Sequence, residues 1–318
     1  RGPGQGRARV CHDCAMAARP LVRVLREIAR KRQLRMTELS CGWICELEDV
    51  AGRRARICGC AFPLNSQASA SLALDKASAS AVFAHHGVAH VPHDIVFSPT
   101  AQYSMAPEER QRGTMAGLYD LLDHCAPLGV VLKPKAGNSG AGVRRAQNRL
   151  ELEAGWQDLL HGSRDFCIGP FLPLAEEWRL MILDGDVHVC YRKDRADPAV
   201  QWRHNVSLGA SISLDVDQGL ISTTLRPLAN TAMNALGLRF ASVDIVKIDP
   251  AQLASLPSKY AGLATAAGGF LVMEVNSAVF VDGLLRQQPS IRPAVDTMFD
   301  RAVELSLQLA PAASAIAP

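Results

Sequence analysis

The 318-residue sequence has almost no net charge and no long apolar run, and these absences exclude several classes of protein. Lys and Arg total 34 against 31 Asp and Glu, so the net charge is only +3, too small to indicate a nucleic-acid or membrane partner. No apolar stretch reaches the roughly 18 residues that a membrane-spanning helix needs. The opening RGPGQGRAR is charged but has no apolar segment after it, unlike a secretory signal peptide. We expect a cytoplasmic protein.

The nine cysteines lack the even number that a complete disulfide framework requires. Six of them precede residue 61 in three close pairs: Cys11 and Cys14, Cys41 and Cys45, Cys58 and Cys60. Two such pairs, with His12 nearby, could form a structural zinc site. However, the spacings differ from paired C-x-x-C knuckles, and Cys58 and Cys60 lie in an apolar run where cysteine commonly acts as a small hydrophobic residue. We favour reduced buried thiols and keep zinc as the alternative.

The apolar patterning predicts alternating helices and strands with no internal repeat. The 48% apolar and 20% charged residues are typical of a globular protein. Spacing of apolar residues and capping signals predict these elements: helices over 19–33, 66–86, 108–124 and 224–236, and strands over 34–39, 42–47, 54–62, 240–248 and 270–278.

The predicted domain organisation rests on breaks in this pattern. Prolines follow Val91 and Ser98, and they indicate the end of an N-terminal domain over 1–98. The second domain would cover 99–318. Within it, the order strand, loop, strand, helix, strand marks a candidate lid over about 128–167, and a C-terminal part follows over about 168–310.

Residues 130–143 (VVLKPKAGNSGAGV) join an apolar run to a lysine and a loop of small residues. Glycines let backbone N–H groups approach phosphate oxygens closely, and Lys133 adds a point charge. The loop is not a Walker A motif, because no Gly-Lys-Ser/Thr follows, and it lacks the spacing of a dinucleotide fingerprint. An ordinary β-turn is the alternative. We hypothesise that Lys133 binds a polyphosphate together with the loop residues Gly137, Asn138, Ser139, Gly140 and Gly142.

Two apolar strands near the C-terminal end carry hard oxygen donors. FLVMEVNSA (270–278) contains Glu274 and Asn276, which share one face of a strand because side chains alternate. FASVDIVKI (240–248) contains Asp244. Such oxygens suit Mg²⁺, which takes one or two carboxylates and completes its octahedron with phosphate oxygens and water. The alternative is three unrelated polar residues, but an unpaired buried carboxylate is costly, so we predict a metal site.

Taken together, these motifs resemble those of the ATP-grasp ligases, and more narrowly their RimK-like and glutathione-synthetase-like branch. The likeness covers about residues 62–310 and follows the family's order of motifs. The most specific part is the Met-Glu-Val-Asn strand combined with the upstream aspartate and the lysine-glycine loop. The residues that carry the likeness are Asp75-Lys76, Lys133 to Val143, Glu177-Trp178-Arg179, Arg203-His204-Asn205 with Gly209-Ala210, Asp244, and Met273-Glu274-Val275-Asn276.

The resemblance implies an α/β (α+β) ATP-grasp fold, in which a Rossmann-like N-terminal domain precedes a lid and a C-terminal lobe. The antiparallel sheets of these two lobes would hold ATP between them. It also implies two Mg²⁺ ions, with Mn²⁺ as a possible substitute, bound by Asp244, Glu274 and Asn276. Lys76 and Lys133 would hold the triphosphate from opposite lobes, so that the γ-phosphate faces the metals. An ordinary surface ion pair is the alternative role for Lys76.

The adenine hinge departs from the pattern of these relatives. They usually carry a Glu followed by Lys or an aromatic residue, whereas the corresponding run here, FCIGPFLP (166–173), contains no acidic residue. We expect backbone groups of Cys167, Ile168 and Phe171 to bind adenine, with Pro170 fixing the hinge. The usual side-chain contact to the base or ribose is missing.

Arginines supply the remaining chemistry, because a guanidinium offers a rigid and always charged fork to phosphoryl oxygens and oxyanions. Arg179 lies in EEWRLMIL, and Arg192 ends DVHVCYR. Arg203 opens the motif R-x-N-x-x-x-G-A, which resembles the segment that holds the acyl phosphate in this branch. We predict that these arginines are catalytic. For His204 we favour a structural or solvent-facing role over that of a base.

The resemblance therefore implies an enzyme that activates a carboxylate as an acyl phosphate, joins it to an amine and releases ADP and phosphate. Its substrates would be small molecules or peptides, and a homo-oligomer is compatible with this reading. One alternative is a regulatory protein that binds ATP but has lost turnover, and another is a kinase of the same fold. After Asn276 the relatives continue Ser-Pro-Gly, whereas Ser277-Ala278-Val279 follows here, so the sequence predicts no particular substrate.

Overall fold

The computed structural model of the chain describes residues 19–97, 114–135, 140–162, 165–195, 202–249, 262, 265 and 267–310. The chain divides into two compact units, one formed by residues 1–63 with 280–318 and the other by residues 64–279. This division differs from the boundary predicted after residue 98. The reason is that the helices over 67–74 and 76–85 and the strand over 94–97 pack and pair within the second unit.

Helices and strands occur in mixed order along the described residues. The helices are α1 Pro20–Arg32, α2 Gln67–Leu74, α3 Lys76–His85, α4 Met115–His124, α5 Arg149–Gly162, α6 Gln218–Leu220, α7 Arg226–Leu236, α8 Asp282–Gln287 and α9 Arg292–Leu309. The strands are β1 Arg35–Leu39, β2 Ile44–Glu48, β3 Arg54–Cys58, β4 Asp94–Phe97, β5 Val130–Pro134, β6 Arg144–Ala146, β7 Asp165–Pro170, β8 Leu174–Leu183, β9 Asp186–Asp194, β10 Ser211–Ser213, β11 Phe240–Ile248 and β12 Phe270–Asn276. Within the described part of the chain, no helix has the length and apolar character to cross a membrane.

The first unit contains a three-stranded antiparallel sheet in the order β1-β2-β3. The connections 40–43 and 49–53 are short turns, whereas a parallel pair needs a crossover of about a dozen residues or more. Short turns therefore enforce antiparallel pairing, and this region is not the Rossmann-like domain that the resemblance implies. The helix predicted over 19–33 is confirmed as α1, which buries its apolar side: Leu21, Val24, Leu25 and Ile28.

The second unit contains a five-stranded antiparallel sheet in the order β10-β9-β8-β11-β12. Helices α2, α3 and α7 cover one face of it, where Phe83 and Met233 pack with Trp178, Val243 and Val275 from the strands. The strands predicted over 240–248 and 270–278 are confirmed as β11 and β12. Because side chains alternate along a strand, the intervening residues project to the opposite face.

A second sheet in the same unit has the order β4-β7-β5-β6. Helices α4 and α5 pack on it through Leu118 and Leu152, which join Val130 and Phe166 in one apolar cluster. The sheet contains the strand, loop, strand, helix, strand order predicted for the lid. It also includes β4, which pairs antiparallel with β7, and this pairing draws residues before 98 into the second unit.

The single helix predicted over 66–86 is broken at Asp75 into α2 and α3. The Asp75 carboxylate accepts hydrogen bonds from the N–H groups of Ala77 and Ser78 at 3.1 and 3.2 Å, and it therefore caps the N-terminus of α3. Gly87 follows α3 with a φ of 67°, as expected for a helix stop. The break places Lys76 at the first position of α3, next to the strands of the five-stranded sheet.

Candidate active site

The face of the five-stranded sheet opposite α7 collects charged side chains from neighbouring strands. Asp244 of β11 lies directly across from Arg179 of β8 and from Glu274 of β12. Directly opposed residues of an antiparallel pair project to the same side, whereas their neighbours Trp178 and Val243 pack against α7. The register therefore brings Asp244, Arg179 and Glu274 together on one face.

Asp244 is held in a buried network of ion pairs. It is 2% exposed, and Arg179 donates to both of its oxygens at 2.6 Å. Lys193 Nζ lies 3.0 Å from Oδ1 and also pairs with Glu177. Burial alone would raise the pKa of Asp244, but the charges of Arg179 and Lys193 outweigh burial and hold that pKa below its usual range. The carboxylate is ionised, and both oxygens are engaged.

The structure does not bring Arg192 to this face. It lies across from Trp178, on the side that the helices cover, and it pairs with Asp194 at 2.6 Å. The β9 residue that reaches the site is the adjacent Lys193, which the sequence reasoning missed. Counting the alternation of β9 from the residue opposite Arg179 would have identified it, but that count requires the strand register.

Glu274 and Asn276 occupy a more open part of the same face. Asn276 Nδ2 donates to Glu274 Oε1 at 3.2 Å, and Lys76 Nζ lies 3.7 Å from Oε2. The Glu274 side chain is 25% exposed. A register shift in the β11–β12 pairing leaves Met273 without a partner. Such a bulge re-aims side chains, and Met273 and Glu274 line the same cavity although they are consecutive.

Lys133, on β5, reaches the same region from the second sheet. Its Nζ lies 2.9 Å from Nε2 of His93 and 3.7 Å from the sulfur of Met273. Burial lowers the pKa of Lys133, and the nearby Lys76 lowers it too, while Glu274 acts in the opposite direction. His93, Met273, Glu274 and Lys76 all line one cavity. His93 is a site residue that the sequence reasoning did not single out, because nothing local connects it with Lys133.

Only the end of the predicted phosphate loop is described. Outside the described residues lie Gly137, Asn138 and Ser139. Gly140 and Gly142 have φ values of 72° and 69°, a conformation that favours glycine. Arg203 donates to the Gly140 carbonyl at 3.2 Å, and a Cβ on Gly140 would lie 2.7 Å from Asn205 Oδ1. Glycine is therefore required at 140 for the Arg203–Asn205 segment to approach the loop.

The structure does not offer the backbone groups that were expected to bind adenine. β7 is an inner strand, so Cys167 and Ile168 have cross-strand partners on both β4 and β5. Their N–H and C=O groups serve those ladders. The N–H of Phe171 donates to the Gly129 carbonyl at 2.9 Å. Sequence alone could not show this, because whether a strand is internal depends on partners far away in the chain.

Phe171 instead belongs to a stack of rings and guanidinium groups. The Arg145 guanidinium lies 3.5 Å from the centre of the Phe171 ring. Trp202 meets Phe171 edge to face, with 5.5 Å between ring centres, and the Arg203 guanidinium lies 5.6 Å from the Trp202 ring. Cation–π and edge-to-face contacts of this kind are stabilising. The stack therefore links the hinge to the start of the Arg203 segment.

His204 is placed as a structural residue. It is 4% exposed, and its Nδ1 lies 3.0 Å from the carbonyl oxygen of Lys193. A carbonyl only accepts, so Nδ1 carries a proton. Within the described part of the chain, Nε2 has no hydrogen-bond partner. The contact fixes the Arg203–Asn205 segment against β9.

Glu274 and Asn276 fit a magnesium site better than Asp244 does. Glu274 presents a partly exposed carboxylate beside the Asn276 amide, and such oxygens are the ligands that Mg²⁺ prefers. Both oxygens of Asp244 already accept from cations, and a metal ion beside Arg179 and Lys193 would meet like charge. Because Mg²⁺ needs only one or two carboxylates when phosphates are present, Glu274 and Asn276 would be sufficient as the protein ligands of such a site.

The described cysteines form no disulfide with one another: Cys41, Cys45, Cys58, Cys60, Cys125, Cys167 and Cys190. Burial raises the pKa of Cys45 and of Cys60 to about 11, which disfavours the thiolate that zinc binds. Cys11 and Cys14 lie outside the described residues. Among the residues that are described, no group of three or more His, Cys, Asp or Glu side chains could hold a metal ion.

No family model matches the chain, and no curated protein matches it. Solved structures do. A D-alanine–D-alanine ligase from Bacillus anthracis aligns with a TM-score of 0.54 at 16% identity, covering 77% of this chain and 71% of that one. The ATP complex of the D-alanine–D-alanine ligase from that organism gives a TM-score of 0.52 at 15% identity, with coverages of 77% and 70%. VanG, a D-Ala:D-Ser ligase from Enterococcus faecalis, gives 0.55 at 14% identity, with coverages of 76% and 64%.

These ligases belong to the ATP-grasp superfamily. The predicted fold class is confirmed: the chain has the mixed α/β fold with antiparallel sheets that ATP-grasp ligases share. At such low identity the likeness concerns the fold alone, and function must be argued from the site itself.

Proposed function

We propose that the chain is an ATP-dependent ligase that activates a carboxylate as an acyl phosphate and joins it to an amine, releasing ADP and phosphate. The observation that carries the proposal is the placement of cations around an open carboxylate in an ATP-grasp fold. Lys76 lies 3.7 Å from Glu274, and Lys133 lines the approach from the other sheet. The motifs around Arg179 and Arg203 favour the RimK-like and glutathione-synthetase-like branch.

Lys133 and Lys76 are the proposed phosphate ligands. They extend from different elements, β5 and α3, towards the region of Met273 and Glu274. Ammonium groups on two sides of a triphosphate would hold it in place through their attraction to the phosphate oxygens. The backbone of the glycine loop, which includes Gly140 and Gly142, would contribute N–H groups to the same phosphates.

Magnesium ions, when bound by Glu274 and Asn276 together with phosphate oxygens, would neutralise charge that develops on the transferred phosphoryl group. We propose two ions, in keeping with the resemblance. Asp244 would act mainly as the anchor that holds Arg179 and Lys193.

The arginines would stabilise the negative charge that develops in the two steps of the proposed reaction. A carboxylate is a poor electrophile and must first be activated. Its oxygen attacks the γ-phosphorus of ATP, ADP leaves, and the acyl phosphate forms. The amine then attacks the carbonyl carbon and phosphate leaves. Arg203, fixed at the Gly140 carbonyl, is suited to the oxyanion of the second step, because a guanidinium is a planar and always charged group. Arg179 would present its remaining N–H donors beside Asp244.

The expected substrates are an amino acid or a short peptide as the carboxylate, and an amine. The test is ADP release in the presence of ATP and Mg²⁺ with panels of amino acids and dipeptides. Release that depends on both a carboxylate and an amine supports a ligase. ADP release with a phosphorylated hydroxyl product would instead indicate a kinase, and ATP binding without any release would indicate a regulatory protein.

Arg203→Lys tests the step that distinguishes a ligase. Lysine keeps the charge but loses the planar fork, so ATP should bind normally while amide synthesis falls by about tenfold or more. Positional isotope exchange in ATP, with carboxylate but no amine, reports formation of the acyl phosphate. Arg192→Lys is the matched control, because Arg192 lies on the opposite face of the sheet. Equal rates for the Arg203→Lys variant and the control would remove Arg203 from the reacting centre.

A further inference from the structure

The contact between Lys133 and His93 joins a charged side chain to a neutral one. His93 lies in the segment before β4 and is 6% exposed. Its Nε2 is 2.9 Å from Lys133 Nζ. An ammonium group has only donors, so Nε2 must accept, and the proton of a neutral His93 ring resides on Nδ1. The geometry thus requires an uncharged imidazole with its lone pair directed at Lys133.

A hydrogen-bonded chain fixes the position of His93. His90 Nδ1 lies 2.8 Å from the Val88 carbonyl, which can only accept, so the other nitrogen of His90 accepts from the Ser80 hydroxyl at 3.0 Å. The Ser80 oxygen in turn accepts the backbone N–H of His93 at 2.9 Å. Each donor in this chain has one acceptor. The chain ties the segment before β4 to helix α3, which also carries Lys76.

We propose that His93 is the positioning residue for Lys133: its neutral ring holds the ammonium in place without cancelling the charge that a polyphosphate would bind. The proposal rests on the proposed function for the identity of the ligand. A carboxylate in place of His93 would compete with phosphate for the same cation. A purely apolar neighbour would leave a buried ammonium hydrogen unsatisfied, which is costly.

The other groups around Lys133 agree with this role. The charged or titratable groups that act on it are Cys167, Glu274, Lys76 and Glu177. Glu274 is the proposed metal ligand, so its charge would be shared with the metal. Burial, followed by the charges of Lys133 and Lys76, holds the pKa of His93 well below its usual value, so the ring stays neutral at physiological pH.

The test compares His93→Gln with His93→Leu. Glutamine places an amide oxygen near the position of Nε2 and keeps an acceptor, whereas leucine keeps bulk alone. His188→Leu is a control at a second histidine of the same unit, which is partly buried and whose pKa responds to burial and to Asp186 rather than to a lysine. Thermal melting of each variant establishes that it is folded before any other measurement.

Two readouts separate this inference from the proposed function. The first is the ¹⁵Nζ NMR signal of Lys133 in protein labelled at lysine, assigned with Lys133→Arg and requiring no ATP. We expect His93→Leu to shift or broaden that signal, and His93→Gln and His188→Leu to leave it near its wild-type position. The second is the dissociation constant for ATP from calorimetry. We expect about a tenfold increase in His93→Leu and within about twofold of wild type in His93→Gln and the control.

An unchanged Lys133 signal in folded His93→Leu would overturn the positioning role, whatever the protein binds. If the signal moves as expected but wild-type protein does not bind ATP, then the proposed function fails while the contact stands. If His93→Gln loses ATP affinity as severely as His93→Leu, the acceptor is not what matters and the proposal is wrong.

Discussion

Asp244 and Glu274 face each other across β11 and β12, yet their surroundings differ in nearly every respect. Asp244 is 2% exposed and receives two hydrogen bonds of 2.6 Å from Arg179, with Lys193 at 3.0 Å. The Glu274 side chain is 25% exposed, and its one ion-pair partner among the described residues, Lys76, lies at 3.7 Å. Both oxygens of Asp244 are therefore engaged by cations, whereas the Glu274 carboxylate is accessible to a ligand.

The difference indicates different roles for Asp244 and Glu274, two carboxylates that the sequence alone does not distinguish. A buried carboxylate with two cations contributes to a fixed arrangement, because removing it leaves uncompensated charges in the interior. An open carboxylate with a distant partner can exchange that partner for a ligand. We therefore expect substitutions at Asp244 to act on stability first, and substitutions at Glu274 to act on turnover first.

The largest expected effect is on the turnover of Glu274→Gln. The substitution removes the charge that would hold Mg²⁺ against the phosphates, a contribution of several kcal/mol, so ADP release should fall by about a thousandfold or more. The melting temperature should stay close to that of wild type, since Glu274 is partly exposed. Wild-type turnover in this variant would contradict the metal assignment, and loss of folding would contradict the comparison with Asp244.

Asp244→Asn should instead destabilise the fold by about 3–5 kcal/mol, because the partly buried Arg179 would lose its carboxylate partner and the buried Lys193 would keep only Glu177. Urea unfolding measures this. Asp184→Asn is the matched control: Asp184 accepts two hydrogen bonds from Arg239 at 2.8 and 2.9 Å, but both side chains are more than a third exposed, and such pairs contribute at most about 1 kcal/mol. Equal losses in the two variants would refute the role of Asp244 as a buried anchor.

The pH dependence of the free energy of unfolding is a further test of the role of Asp244 as a buried anchor. The pKa of Asp244 is lowered in the folded state, so the unfolded chain binds more protons as the pH falls. The stabilisation is complete above the unfolded pKa, near pH 4, and is lost as the pH decreases towards the folded value. Asp244→Asn should therefore show a shallower loss of stability between about pH 4 and pH 2 than wild type.

The sequence predicted the strands of the site but not their partners. The apolar runs around Asp244 and Glu274 are local patterns, and both were confirmed as β11 and β12. The pairing of β8 with β11, which saturates Asp244 with Arg179, depends on packing between segments about 65 residues apart. For the same reason the sequence could not show that β7 is an inner strand. The backbone groups of Cys167 and Ile168, which were predicted to bind adenine, serve the ladders to the neighbouring strands instead.

The register of β9 decides whether Arg192 or Lys193 reaches the site. The two are adjacent, and an arginine is the more usual choice for a phosphoryl site, so sequence favoured Arg192. Alternation along β9 places Lys193 beside Asp244 and turns Arg192 to the side of Trp178. A shift of one residue would exchange them. His93 was missed for a related reason, since its partner Lys133 is 40 residues away.

Lys193→Met compared with Arg192→Met tests that assignment directly. Lys193 is 4% exposed and bonded to Glu177 and Asp244, so Lys193→Met should cost about 2–4 kcal/mol and reduce turnover by about tenfold or more. The Arg192 side chain is 37% exposed, and Arg192→Met should change stability by less than about 1 kcal/mol. Urea unfolding and ADP release measure the two effects. A larger loss in Arg192→Met would show that the strand is out of register.

The smallest expected change in stability is that of Lys76→Met, which removes the cation that faces the open carboxylate. At 3.7 Å from Glu274 Oε2, this pair has little directional hydrogen bonding, and its loss should lower the free energy of unfolding by less than the loss of the Lys193 ion pairs does. ATP affinity should nevertheless fall by about three- to tenfold, because a charge that contacts phosphate is lost. Lys247→Met is the control for affinity, since the Lys247 ammonium lies over the Phe270 ring at 5.2 Å rather than beside a site carboxylate. If Lys76→Met destabilised the protein as strongly as Lys193→Met, Glu274 would be anchored as Asp244 is, and the distinction between the two carboxylates would fail.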